Sequence, residues 1–153
     1  MVLRKRIVGH PLRQDPEVQK LYKVLENSYA LVYALEIVVE HEDLLNLQAA
    51  ANGITQVYCK LTGFKDPQIT LRAYSGNTDS VIRELFKTTA AAVGLVQTLE
   101  KRLDKDTIFI LKSSTLGLMH AYASLSGKPA PTQVAREVYE AIVVRELAES
   151  KTV

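Results

Sequence analysis

The chain holds a single cysteine, Cys59, and so cannot close a disulfide on itself. Long apolar runs are lacking too, since no stretch of about 18 residues is free enough of charge to read as a membrane span. There is also no leader-like apolar core near the start, where MVLRKRIVGHPLRQDP follows its basic cluster with Gly-His-Pro and polar residues; export by a signal peptide is not expected. Of 153 residues, 47% are apolar and 24% charged, with a net charge of only +2. That balance excludes the weakly hydrophobic, highly charged composition of a disordered chain. A chain of this length buries roughly 70% of its unfolded surface, enough for one core without disulfide or metal.

Acidic residues are absent from Met1 to Gln14, while Arg4, Lys5, Arg6 and Arg13 give that stretch a charge of +4 and leave the remainder at −2. Gly9 and Pro11 interrupt regular structure there, whereas Pro16 suits the first turn of a helix capped by Asp15. The predicted organisation is an extended basic N-terminal arm, residues 1–15, ahead of an all-α body, residues 16–153.

Five helices are expected in that body. Val18, Leu21, Tyr22, Leu25, Tyr29 and Val32 recur at three- and four-residue spacing from Pro16 onward. From Tyr29 to Val39 (YALVYALEIVV) Glu36 is the only strongly polar residue, so this part of the helix is predicted to be covered on several sides. It is too short to span a bilayer, and a monomer of this size surrounds a helix poorly, so the cover expected is another copy of the chain. Tyr29, Val32, Tyr33, Leu35 and Val38 are the candidate interface. A second helix follows the charged step Glu40 to Asp43 and stops at Gly63, where glycine takes a left-handed cap. Lys65 to Asn77 carries turn chemistry at Asp66-Pro67 and Ser75-Gly76-Asn77. A third helix is predicted from about Thr78 to Leu103. Thr107 to Leu111 (TIFIL) reads alone as a strand able to pair with Gln68 to Tyr74. Its three/four period continues to Ser126, and length favours one helix capped by Asp106. SGKPAPT then breaks the chain before a last helix from about Pro131 to Ser150, completing a bundle.

No motif supplies a catalytic site or calls for a cofactor or a small-molecule substrate, and the chain is not expected to be an enzyme. Gly127-Lys128 is followed by proline and lacks the upstream glycine of a phosphate loop. His10, His41 and His120 are far apart, and Glu40 to Asp43, four consecutive residues, point around the whole circumference of a helix instead of converging on a metal. Ser113-Ser114-Thr115 lacks the glycines of a nucleophile elbow. Cys59 sits near the apolar stripe of its helix, as an inert thiol would. Six of the seven tyrosines fall on predicted helices, where an aromatic anchors a core or an interface more often than it stacks on bases. The arm has two readings. It is a solubilising tail, or it holds phosphates through Arg4, Lys5, Arg6 and Arg13.

Gly117 to Ile142, GLMHAYASLSGKPAPTQVAREVYEAI, joins a small-residue apolar helix, a proline-containing break and a short last helix. In Gly117, Leu118, Tyr122, Ser124, Gly127, Pro131, Ala135 and Ile142 it resembles the C-terminal region of the major coat proteins of filamentous and rod-shaped DNA viruses of hyperthermophilic archaea. Those proteins also carry a basic arm ahead of a helical bundle. The likeness covers about a sixth of the chain, which departs from the rod-shaped members in being longer and more charged, with an acidic body. The resemblance implies a capsid protein of the virion. Its arms would wrap double-stranded DNA without sequence preference, and its body would assemble into a helical nucleocapsid with itself and a paralogous coat protein. Two other readings share the helical fold: a cytoplasmic, non-catalytic subunit of an archaeal CRISPR effector complex that holds a nucleic-acid strand, and a protein–protein adaptor.

Overall fold

A computed structural model describes residues 11–70, 77–127, 136 and 140. The arm cations Arg4, Lys5 and Arg6 lie outside the described residues. So does the last helix expected over Pro131 to Ser150, apart from Arg136 and Glu140, which are helical and exposed.

A short 3-10 helix, Pro11–Gln14, leads into α1, Pro16–Leu35. The start of α1 follows from local chemistry. The carboxylate of Asp15 accepts hydrogen bonds from the free backbone N–H groups of Glu17 and Val18, at 2.9 and 3.4 Å, and Pro16, which has no N–H to satisfy, takes the first helical position. Helix α2, His41–Thr62, ends on Gly63 at φ 79°, the left-handed conformation predicted for that glycine. Asn77 caps α3, Thr78–Leu99, by accepting from the Ser80 N–H at 2.9 Å. Helix α4, Lys105–Ser126, ends on Gly127 at φ 82°.

Four boundaries differ from expectation. Helix α2 begins at His41, inside the charged step Glu40 to Asp43 that it was expected to follow. Helix α1 stops at Leu35 and does not run on to Val39: the amides of both Val38 and Val39 fold back onto the Leu35 carbonyl at 3.1 Å, turning the chain toward α2. The β-branched run Ile37-Val38-Val39 weakens the helix at that point. Helix α3 ends at Leu99, not Leu103, where a turn closed by Arg102 N to Leu99 O at 2.9 Å begins. The cap of α4 is Asp104, whose carboxylate accepts from Thr107 N at 2.7 Å, and Asp106 lies inside the first turn. Thr107 to Leu111 belongs to α4. Gln68 to Thr70, the described part of the alternative strand pairing, has no strand.

The four helices form a square in which α1 packs on α2 and α3, and α4 packs on the same two, so that α1/α4 and α2/α3 are diagonals. Every neighbouring pair is antiparallel. Arg102, after α3, meets Asp15, before α1, and Ser124 near the end of α4 donates to Asp43 at the start of α2 at 2.8 Å. Gly63 and Asn77 therefore lie at opposite ends of the bundle, and the described start of the link between them, residues 63–70, runs beside α1, where the Tyr22 hydroxyl donates to the Gln68 carbonyl and Ile69 joins the core. Leu21, Leu25, Leu31, Leu47, Ile54, Leu85, Leu99, Leu111 and Leu118 fill the centre. Three buried hydroxyls among them, Ser28, Thr89 and Thr115, are satisfied within their own helices, each donating to the carbonyl four residues back at 2.7, 2.7 and 2.8 Å.

Candidate functional site

The bundle has two chemically distinct ends. At the first, where the arm joins, Arg13 is built into the fold. Its Nε donates to the Thr62 carbonyl at 2.8 Å, an acceptor left free at the end of α2, and its guanidinium lies 4.0 Å from the centre of the Phe64 ring. A cation is favourable at this terminus because the exposed carbonyls make it negative, and the ring face adds a cation–π contact. Two residues on, Asp15 ties the arm to the turn after α3: it receives both terminal nitrogens of Arg102, at 3.3 and 2.6 Å. The Arg102 hydrogen bond, aided by those of the Glu17 and Val18 amides against the opposing effect of burial, holds the Asp15 carboxyl below its ordinary range. Lys60 pairs with Asp104 at 3.0 Å at the same end.

Tyr22, Tyr58 and Phe64 form an aromatic chain beneath Arg13, with ring centres 5.3 and 6.2 Å apart. Burial pushes the pKa of both tyrosine hydroxyls up from the ordinary value, so each keeps its proton, and they act as anchors of the bundle end. Cys59 is half-buried, not enclosed, and desolvation pushes its thiol up, away from the reactive thiolate.

At the opposite end, the turn from α1 to α2 gathers exposed carboxylates, Glu36, Glu40 and Glu42, around exposed apolar side chains. Ile37 is 90% exposed, Tyr33 63% and Val38 56%. The five residues expected to form one interface are thus divided. Tyr33 and Val38 face solvent, and Tyr29 and Val32 are half-buried along a groove of about 370 Å³ that Gln48 and Asn52 complete. Leu35 is 1% exposed and belongs to this chain's own core. The Tyr29 hydroxyl donates to Asn52 Oδ1 at 3.0 Å, which fixes the ring against α2.

Residues that sequence periodicity did not bring out lie on α4. Phe109, within the apolar TIFIL run, is 68% exposed, and Leu116 is 47% exposed. Their neighbours Ile108 and Leu111 point inward, so the helical period itself, followed one residue further, carries Phe109 to the surface. Among the described residues no group of three or more His, Cys, Asp and Glu is arranged to hold a metal, and no helix is long and apolar enough to cross a membrane. No family model matches the chain, and neither a curated protein nor a solved structure shows detectable similarity to it.

Proposed function

We propose that this chain is a non-catalytic packaging protein of a virion: its basic arm neutralises the phosphates of double-stranded DNA, and its bundle self-associates along the duplex into a helical nucleocapsid. The observation that carries this reading is the anchoring of the arm. Arg13 and Asp15 tie its root to the bundle end opposite Glu36, Glu40 and Glu42, so that root and the acidic turn are separated by the full length of the helices. Phosphates are attracted to one end and repelled from the other, which orients every copy the same way on a duplex. Arg4, Lys5 and Arg6 make the phosphate contacts, and Arg13 fastens the root of the arm to the body. Contacts of this kind position a protein without reading sequence.

The exposed Tyr33, Ile37 and Val38 supply a contact between copies at the acidic end. Electron microscopy of the purified full chain, with and without duplex DNA of mixed sequence, tests the reading. Regular filaments that require DNA are expected. Discrete particles that ignore DNA would contradict it and favour an adaptor, and capture of single-stranded RNA alone would favour the effector-subunit reading.

A further inference from the structure

A helix facing water usually carries charge on its outer stripe, as α1 does with the pairs Lys20–Glu17 and Lys23–Glu26. Helix α2 does not: from Leu44 to Cys59 it has no charged residue. Within that span Leu45, Ala49, Asn52 and Gln56 are exposed, at steps of four, three and four, so they form one straight stripe. Beside it α4 exposes Phe109, Ser113 and Leu116 at steps of four and three, again without charge, while Lys112 turns away to Glu100 at 2.8 Å.

These two helices approach closely. A side chain at Gly53 would meet the Ser114 Oγ at 2.0 Å, and one at Gly117 would meet the Asn46 carbonyl at 3.2 Å. The close approach leaves a groove of about 470 Å³ between the stripes, with Asn46, Asn52 and Gln56 on one wall and Phe109 and Ser113 on the other.

We infer that this α2/α4 face is a two-fold interface with a second copy of the chain, in which Phe109 of each copy enters the groove of the other. Three properties select a copy over an unrelated partner. The face is neutral and matches only a neutral face, since a charged partner would lose hydration there without gaining an opposite charge. Its polar groups are side-chain amides and the Ser113 hydroxyl, which both donate and accept, so a two-fold axis can pair each with its like. It also presents a protruding ring next to a groove, the knob and the hole that a self-complementary contact needs on one surface. Depletion of charge with an exposed aromatic at the centre is the composition of an interface core.

The inference rests on the self-association in the reading above and is independent of nucleic acid. It gives that reading its geometry, because a two-fold contact alone closes into a dimer, and a second contact at the acidic end extends dimers into a filament.

Sedimentation velocity of the full chain, without nucleic acid and at low ionic strength so that added charges are not screened, tests it. The wild type is expected as a dimer. Phe109→Lys should raise the dissociation constant at least about tenfold, as loss of a central aromatic anchor does. Ile37→Lys, at the acidic end, should leave the dimer intact. Gln56→Lys and Gln56→Glu should each weaken it, and an equimolar mixture of the two should associate more tightly than either alone. Position 56 is exposed, so these variants keep the helical circular-dichroism signal and remain informative if the Phe109 variant does not fold. A monomeric wild type, a Phe109→Lys variant that dimerises unchanged, or a mixture no tighter than its components would overturn the inference. Since no DNA is present, such a failure leaves the arm's role standing, and a failure of DNA binding leaves this interface standing.

Discussion

The carboxylate of Asp15 is shared between two tasks: it caps α1 through the Glu17 and Val18 amides, and it receives Arg102 at 2.6 Å from the turn that follows α3. One side chain thus begins the first helix and ties it to the end of the third. Asp15→Ala should lower unfolding free energy by about 1–2 kcal/mol, the upper part of the range for a cap. Arg102→Ala should lower it by less than about 1 kcal/mol, since the Arg102 side chain is 41% exposed and water screens the pair. Urea denaturation of the two single variants and the double variant checks this, with a double loss smaller than the sum of the singles.

Acid should weaken the same end of the bundle. Asp104 is held at about 2, first by the Thr107 amide and then by the Thr107 hydroxyl and Lys60, and Asp15 is also lowered. A carboxylate with a depressed folded-state value stabilises fully above its unfolded value and loses that contribution as pH falls through the folded one. Melting temperature should therefore be level above about pH 5 and fall progressively toward pH 2. Asp104 is more than half exposed, so its share is small, and Asp104→Asn should flatten the lowest part of the curve only slightly.

The α2/α4 contact gives a sharper packing test. Gly53→Ala should destabilise by about 1–3 kcal/mol because its Cβ would collide with Ser114 Oγ. Ser114→Ala removes that oxygen, which otherwise bonds only to the Ile110 carbonyl of its own helix. The double variant should recover much of the loss, measured by thermal unfolding.

These contacts show which parts of the fold could be read beforehand. The starts at Pro16 and Thr78 and the stop at Gly63 were legible because each depends on a residue whose own chemistry makes the boundary. The stop at Leu35 was not, because no glycine or proline marks it and the turn toward α2 decides it. Asp106 was the expected cap of the last described helix, and the cap is Asp104, two residues earlier, which also pairs with Lys60 on a different helix. Arg13 looked like one cation among four; its bond to Thr62, 49 residues away, is invisible to local pattern. The division of the expected interface has the same cause, since periodicity placed Leu35 and Val38 in one apolar run, and only the turn separates them into core and surface.

That division is itself testable. Leu35→Ala should cost about 2–5 kcal/mol of stability as a core truncation. Val38→Lys should change the unfolding free energy by no more than about 0.5 kcal/mol, as a surface change does, while preventing filaments on DNA. Paired calorimetry and electron microscopy of the two variants separate folding from assembly.

The most direct test of the account is the salt dependence of duplex binding by the full chain and by its Arg4→Ala/Lys5→Ala/Arg6→Ala variant. With Arg13 occupied by Thr62 and Phe64, three arm cations remain for phosphate. The expected result is a log–log slope near −2.7 per protomer for mixed-sequence DNA, a near-complete loss of binding in the variant, and no preference among sequences beyond about tenfold. A variant that binds as tightly as the full chain, with an unchanged slope, would contradict it.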